Sequence, residues 1–91
     1  MPYITQEARV PYEASIEKIV ELLAQLQTET DVEGHFNYVV SSIMKRYVKK
    51  TGNKYYKCNK FSGALNCIYS EFYRRVVAPY EDEAIKKNGD I

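Results

Sequence analysis

Two adjacent arginines, Arg74 and Arg75, open the chemical reading of this chain. A guanidinium presents a planar fork of donors that matches phosphate or carboxylate oxygens in pairs. Beside them stand Tyr73 and Tyr80, whose rings can stack on flat heterocycles. Three acids, Glu81, Asp82 and Glu83, follow before an Asn88-Gly89 stop. Arginine forks among tyrosines point to a nucleotide-like ligand, although the chain has no Gly-rich phosphate loop. Glu71, Arg74 and Arg75 also occupy i, i+3 and i+4, the spacing of a surface ion pair worth about 0.2–0.5 kcal/mol. The favoured orientation pairs Glu71 with Arg75, which leaves Arg74 for a ligand or a partner's anion.

A second constellation runs from Lys45 to Lys60. Between residues 34 and 70 there is no acid, while Lys45, Arg46, Lys49, Lys50, Lys54, Lys57 and Lys60 interleave with Tyr47, Tyr55 and Tyr56. Phosphate attraction combined with ring stacking is the physics of nucleic-acid binding, and equally of a pocket for a small nucleotide. The alternative is a solvated basic face set against the acidic start of the chain. There Glu7, Glu13, Glu17, Glu21, Glu29, Asp31 and Glu33 face only Arg9 and Lys18 in sequence, although the whole chain is nearly neutral at +1. Such segregation can be resolved within one chain or between subunits.

Catalytic and metal chemistry find less support. Glu13, Glu17 and Glu21 recur at i+4, but a magnesium site of the pyrophosphohydrolase kind needs a second acidic pair that the next stretch lacks. They read as a solvated helix face. Glu81, Asp82, Glu83 and Asp90 suit a helix N-terminus without any metal. His35 is the single histidine, and Cys58 and Cys67 lie nine apart with no Cys-x-x-Cys motif. A zinc site therefore lacks ligands, and the cysteines read as small buried hydrophobes that stay reduced. No Ser-His-Asp arrangement is present. The expectation is a binding protein rather than an enzyme, with no metal and no cofactor.

The elements that must position these groups are helical. Pro11 suits a first turn, and Ile16, Ile19, Val20, Leu23 and Leu26 form a stripe at helical spacing, giving a first helix over 11–28. Phe36, Val39, Val40, Ile43, Met44, Tyr47 and Val48 predict a second over 34–50. Lys50 to Asn59, with Thr51-Gly52-Asn53 at its centre, reads as a loop. Phe61, Leu65, Ile68, Phe72 and Val76 mark a third helix from an Asn59 cap to Ala78. Gly63 inside it costs about 1 kcal/mol against Ala, which a close helix crossing would offset. Pro79 should end or kink that helix, and Pro79 to Lys87 then forms a short fourth. The fold class is all-α: a small bundle of three main helices and a short C-terminal helix, one domain over 1–91.

Ninety-one residues bury only about two thirds of the surface the unfolded chain exposes. The aromatic and aliphatic content, with nine tyrosines, exceeds what three short helices can cover. A homo-oligomer, a dimer or a multiple of one, is expected. No run of eighteen apolar residues and no secretory leader is seen, so no membrane association and a cytoplasmic location are expected.

Several segments carry a family resemblance: Met1-Pro2-Tyr3-Ile4, Asn37-Tyr38, Glu71-Phe72-Tyr73-Arg74-Arg75-Val76, Pro79-Tyr80-Glu81 and Asn88-Gly89-Asp90. Together they resemble small phage and prophage proteins of this chain's size, nearly end to end. The loop Lys50 to Cys58 departs from that pattern in length and basic content. In size and setting the resemblance extends to viral anti-CBASS sponges, small oligomers that sequester cyclic dinucleotide immune signals. It implies non-catalytic capture of a molecule such as 3′,3′-cGAMP in the host cytoplasm. Arg74 and Arg75 would hold phosphate, and Tyr80, Tyr73 or Tyr3 would stack on a base. Asn37, Tyr38 and Lys45 complete the candidate set. The alternative is a nucleic-acid-associated or protein-interaction factor working through 45–60.

Overall fold

The structure, a computed structural model, describes residues 3–26 and 31–91, and among them every regular element is helical. The all-α expectation holds. The chain divides into two units, Met1–Gly52 and Asn53–Ile91.

In the first unit, α1 spans Gln6–Ala24 and α2 spans Val32–Thr51. Helix α1 starts ahead of Pro11, because Thr5 is extended and its hydroxyl accepts the Ala8 N–H at 3.2 Å. That cap satisfies one of the amides a helix start leaves bare. Pro11 consequently lies inside the helix. The helix ends through Gln25, whose N–H donates to the Glu21 carbonyl. The expected end at Thr28 lies outside the described residues. Helix α2 closes at Gly52, whose φ of 105° is open to glycine and strained for other residues. The two helices touch, and Ile19, Leu23 and Leu26 of the first segment and Val39 and Val40 of α2 are half-buried.

The second unit is one helical run with an internal irregularity. Helix α3 covers Tyr55–Phe72, a π turn covers Tyr73–Val77, and α4 covers Ala78–Asn88. Helix α3 begins a full turn before Asn59, since Lys54 is extended and its carbonyl accepts Lys57 N–H at 3.0 Å. Tyr55 and Tyr56 are thus helical, and the loop shrinks to Gly52–Lys54.

Pro79 does not break the helix. In an α-helix its ring would press on the carbonyl four residues back, and its missing N–H would leave a gap in the ladder. The chain answers by widening just ahead of it, so that the Ala78 N–H reaches the Tyr73 carbonyl, five residues back. That extra residue has a second effect. Phe61, Leu65, Ile68 and Phe72 keep one face by spacings of four, three and four. Continuing in fours through Val76, Tyr80 and Ala84 would swing the stripe by about 40° per step in a regular helix. The π turn takes up that drift, so the stripe continues along one side.

Gly63 sits in the middle of α3 with nothing within 4 Å of where a Cβ would stand, so no close crossing offsets its cost. Cys58 and Cys67 are free and exposed rather than buried. Within this unit no second element lies opposite α3 to cover them. Indeed no described residue in either unit is fully buried.

Candidate functional site

The π turn positions the arginines. Arg74 and Arg75 both lie in it, following Tyr73 and preceding Val76 and Val77. Glu71, one turn earlier and half-buried, takes Arg74 in an ion pair at 2.9 Å. The sequence assigns Glu71 to Arg75 and leaves Arg74 over. Arg74 is thus not left over, because a side chain three residues on can reach back to Glu71 as well as one four residues on. The Arg74 side chain is 63% exposed, so water screens the pair and an incoming anion competes with it at little cost.

Tyr73 points elsewhere. Its hydroxyl donates to Glu81 Oε1 at 2.5 Å, and its ring lies 6.3 Å from that of Tyr69 at a 33° tilt. Eight residues overshoot two turns of a regular helix by about 80°. The Tyr73–Glu81 bond forms because the π turn realigns them. It raises the Tyr73 pKa, first through the hydrogen bond and then through the carboxylate's charge. The neutral phenol is thereby held in place as a donor. Tyr80 is 77% exposed. Helical continuity through Pro79 sets it on the face of Phe72 and Val76 rather than turning it toward Arg74. One chain therefore brings Arg74, Arg75, Tyr73 and Tyr80 within two turns but sends them out on different faces.

The remaining candidates belong to the first unit. Tyr3 precedes α1 and is exposed. Asn37 accepts the Ser41 hydroxyl at 2.9 Å, which orients its amide along α2. Lys45 is exposed on the same helix. Tyr38 lines an open groove of about 680 Å³ with Ile19, Leu23, Leu26, His35 and Val39. The sequence reading sets His35 aside as solitary. Its signal was the spacing His35, Tyr38, Val39, which at i, i+3 and i+4 marks one face. In the basic aromatic segment, Lys60 Nζ stands 5.5 Å from the Tyr56 ring, a cation–π contact within the chain. Among the described residues no three His, Cys, Asp or Glu side chains gather into a metal shell. No described helix is long and apolar enough to cross a membrane.

A family model described as a domain of unknown function (DUF6899) matches residues 1–91. The chain belongs to that family. The match spans both units, so the π turn and the groove each fall within the family domain. No curated protein matches the chain, and no solved structure does.

Proposed function

We propose that this chain is a phage-type anti-defence sponge, which captures cyclic dinucleotides such as 3′,3′-cGAMP and holds them uncleaved. The observation that supports this reading is the π turn, which carries two consecutive arginines within two turns of Tyr73 and Tyr80. Arginine forks suit the phosphodiesters and tyrosine rings the purines. The divergence of Arg74 and Tyr80 on one helix argues that a single ligand takes groups from more than one copy. A ligand with two phosphates and two bases in approximate two-fold symmetry fits a site shared by two subunits.

Calorimetry with 3′,3′-cGAMP tests the reading. Arg74→Ala and Arg75→Ala should each cost about 1.5–3 kcal/mol, roughly tenfold to a hundredfold in affinity. Tyr80→Phe should cost less than Tyr80→Ala if the ring stacks. Ligand released by heating should be intact. Unchanged affinity in both arginine variants, or recovery of a cleaved product, overturns the proposal.

A second reading draws on Tyr55, which is 83% exposed at the start of α3 among Lys54 and Lys57. It makes that basic aromatic segment a nucleic-acid contact. Strand binding would weaken steeply with salt, whereas capture of a small ligand would lose less.

A further inference from the structure

We propose that the apolar stripe of α3 and α4 seats a second copy of this chain, laid antiparallel about a two-fold axis at Phe72. Leu65, Ile68, Phe72, Val76 and Tyr80 are all exposed, with Ile68 at 61% and Phe72 at 58%. They share one side only because the π turn keeps them in line. A helix draws most of its stability from covering such a face.

Two observations select a second copy in this orientation. The stripe is nearly symmetric about Phe72: Ile68 precedes it by as many residues as Val76 follows it, and Leu65 and Phe61 stand before it much as Tyr80 and Ala84 stand after. Turning the helix end for end therefore sets Ile68 against Val76, Leu65 against Tyr80 and Phe61 against Ala84, large beside small at the ends. Charge agrees. One end of the run carries Lys54, Lys57 and Lys60 with no acid, and the other carries Glu81, Asp82, Glu83 and Asp90 against only Lys86 and Lys87, so the ends differ in net sign. Antiparallel pairing brings opposite charges together, whereas parallel pairing stacks like on like. From Phe61 to Ala84 the seam extends about 35 Å at 1.5 Å per residue. The pairing is argued without the ligand proposed above, but both use Tyr80, so a base on its ring would have to lie at the edge of this seam.

The test uses the full chain with Cys58→Ser and Cys67→Ser, to which Phe61→Cys is added in one preparation and Ala84→Cys in another. A short thiol cross-linker should join the two when mixed and neither alone. Sedimentation of the unaltered chain should show a dimer or a multiple of one. Phe72→Glu, which sets two carboxylates against each other at the axis, should weaken association at least about thirtyfold. If circular dichroism shows that variant unfolded, Val76→Glu serves the same purpose off the axis. Cross-linking of Phe61→Cys with itself overturns the arrangement. So does a monomer at micromolar concentration, which would mean that the stripe is covered from within the chain or by another protein.

Discussion

The two units make opposite use of the same sequence signal. Both carry apolar residues at helical spacing. In Met1–Gly52 the stripe of α1 and that of α2 lie against each other, and Ile19, Leu23 and Val39 are half-buried. In Asn53–Ile91 the stripe is longer and richer in aromatics, yet Ile68, Phe72 and Val76 stay exposed because that unit contains one helical run and no second element to face it. Periodicity thus establishes that a face is apolar and says nothing of what covers it. The units also differ in how they absorb a proline. Pro11 is the sixth residue of α1, past the first turn, and there the helix stays regular and lacks one bond of its ladder. Pro79 falls within a continuing run, and the helix widens into a π turn ahead of it.

The sharpest way to break that contrast is Pro79→Ala. Removing the ring restores a donor and removes the clash that favours widening, so the run should close into a regular α-helix. The gain in helix stability should be as much as about 3 kcal/mol, the full penalty of an interior proline, and less to the extent that the π turn has already relieved it. Closing the turn rotates the residues beyond it relative to α3, so the Tyr73–Glu81 bond should be lost and the stripe divided at Phe72. Thermal unfolding and amide exchange across 72–80 measure this. Retention of the Tyr73–Glu81 bond in the variant would show that something other than Pro79 holds the π turn. The matching change in the first unit, Pro11→Ala, should leave its hairpin geometry intact.

Caps sharpen the comparison next. Helix α1 has a side-chain cap in Thr5, whereas neither Lys54 before α3 nor Asp31 before α2 makes one. Thr5→Ala should cost about 1 kcal/mol. Lys54→Asp should add a comparable amount to α3, because a carboxylate there can accept amides that now lack a side-chain partner and also meets the positive end of the helix. Chemical denaturation of each variant checks both signs. Loss of stability in Lys54→Asp would place the true start of α3 elsewhere.

How far these features could be read in advance differs by element. Helix α2 was legible nearly end to end, because a sustained stripe meets Gly52, whose backbone requirement is local and visible. The start of α3 was not. Tyr55 and Tyr56 among lysines look like loop, since aromatic residues are middling helix formers, and Asn59 looks like a cap; the chain instead gains another turn from backbone bonds to Lys54. Pro79 misled most. Residue preferences price a proline against an α-helix and have no term for a change of ladder from four to five. The site inherits the same limits. That Arg74, Arg75, Tyr73 and Tyr80 cluster was evident, but their directions depend on the π turn. The Tyr73–Glu81 contact, at a separation no regular helix favours, was invisible for that reason. That Arg74 reaches Glu71 turned on rotamers that spacing cannot resolve. A solitary histidine such as His35 signals nothing as a metal ligand, and its place in the wall of an apolar groove depends on how α1 meets α2.

Glycines give a smaller and cleaner comparison. Gly34 in α2 and Gly63 in α3 both have open space where a Cβ would stand, whereas Gly89 has a φ of +90°. Gly34→Ala and Gly63→Ala should each stabilise by roughly 1 kcal/mol, and Gly89→Ala should destabilise by a similar amount. The units would diverge in one circumstance. If Gly63 lay at a tight crossing between copies, Gly63→Ala would reduce self-association while raising helicity. The proposed seam runs along Phe61, Leu65 and Ile68, so sedimentation of Gly63→Ala should match that of the unaltered chain.

The smallest effect, and the most local, is the titration of Tyr73. Its pKa is raised because the hydroxyl donates to Glu81 and because ionising it would set a second negative charge beside the carboxylate. The folded state thus favours the protonated phenol more than the unfolded chain does. Whatever stability the contact contributes is fully present below the ordinary tyrosine value near 10 and is lost as pH rises through the raised one. Glu81→Gln keeps an acceptor but removes the charge, so Tyr73 should titrate closer to that ordinary value without returning to it fully. Glu81→Ala should carry it further back, short only of the smaller contributions from Tyr69 and desolvation. Carbon NMR of the tyrosine ring resolves Tyr73 from the other eight tyrosines, which act as controls in the same sample. Because the contact exists only when the helix carries its extra residue, Pro79→Ala should move Tyr73 as far as Glu81→Ala does. A Tyr73 titration that ignored both changes would mean that the alignment across the π turn is absent in solution, and with it the continuity of the stripe on which the antiparallel pairing depends.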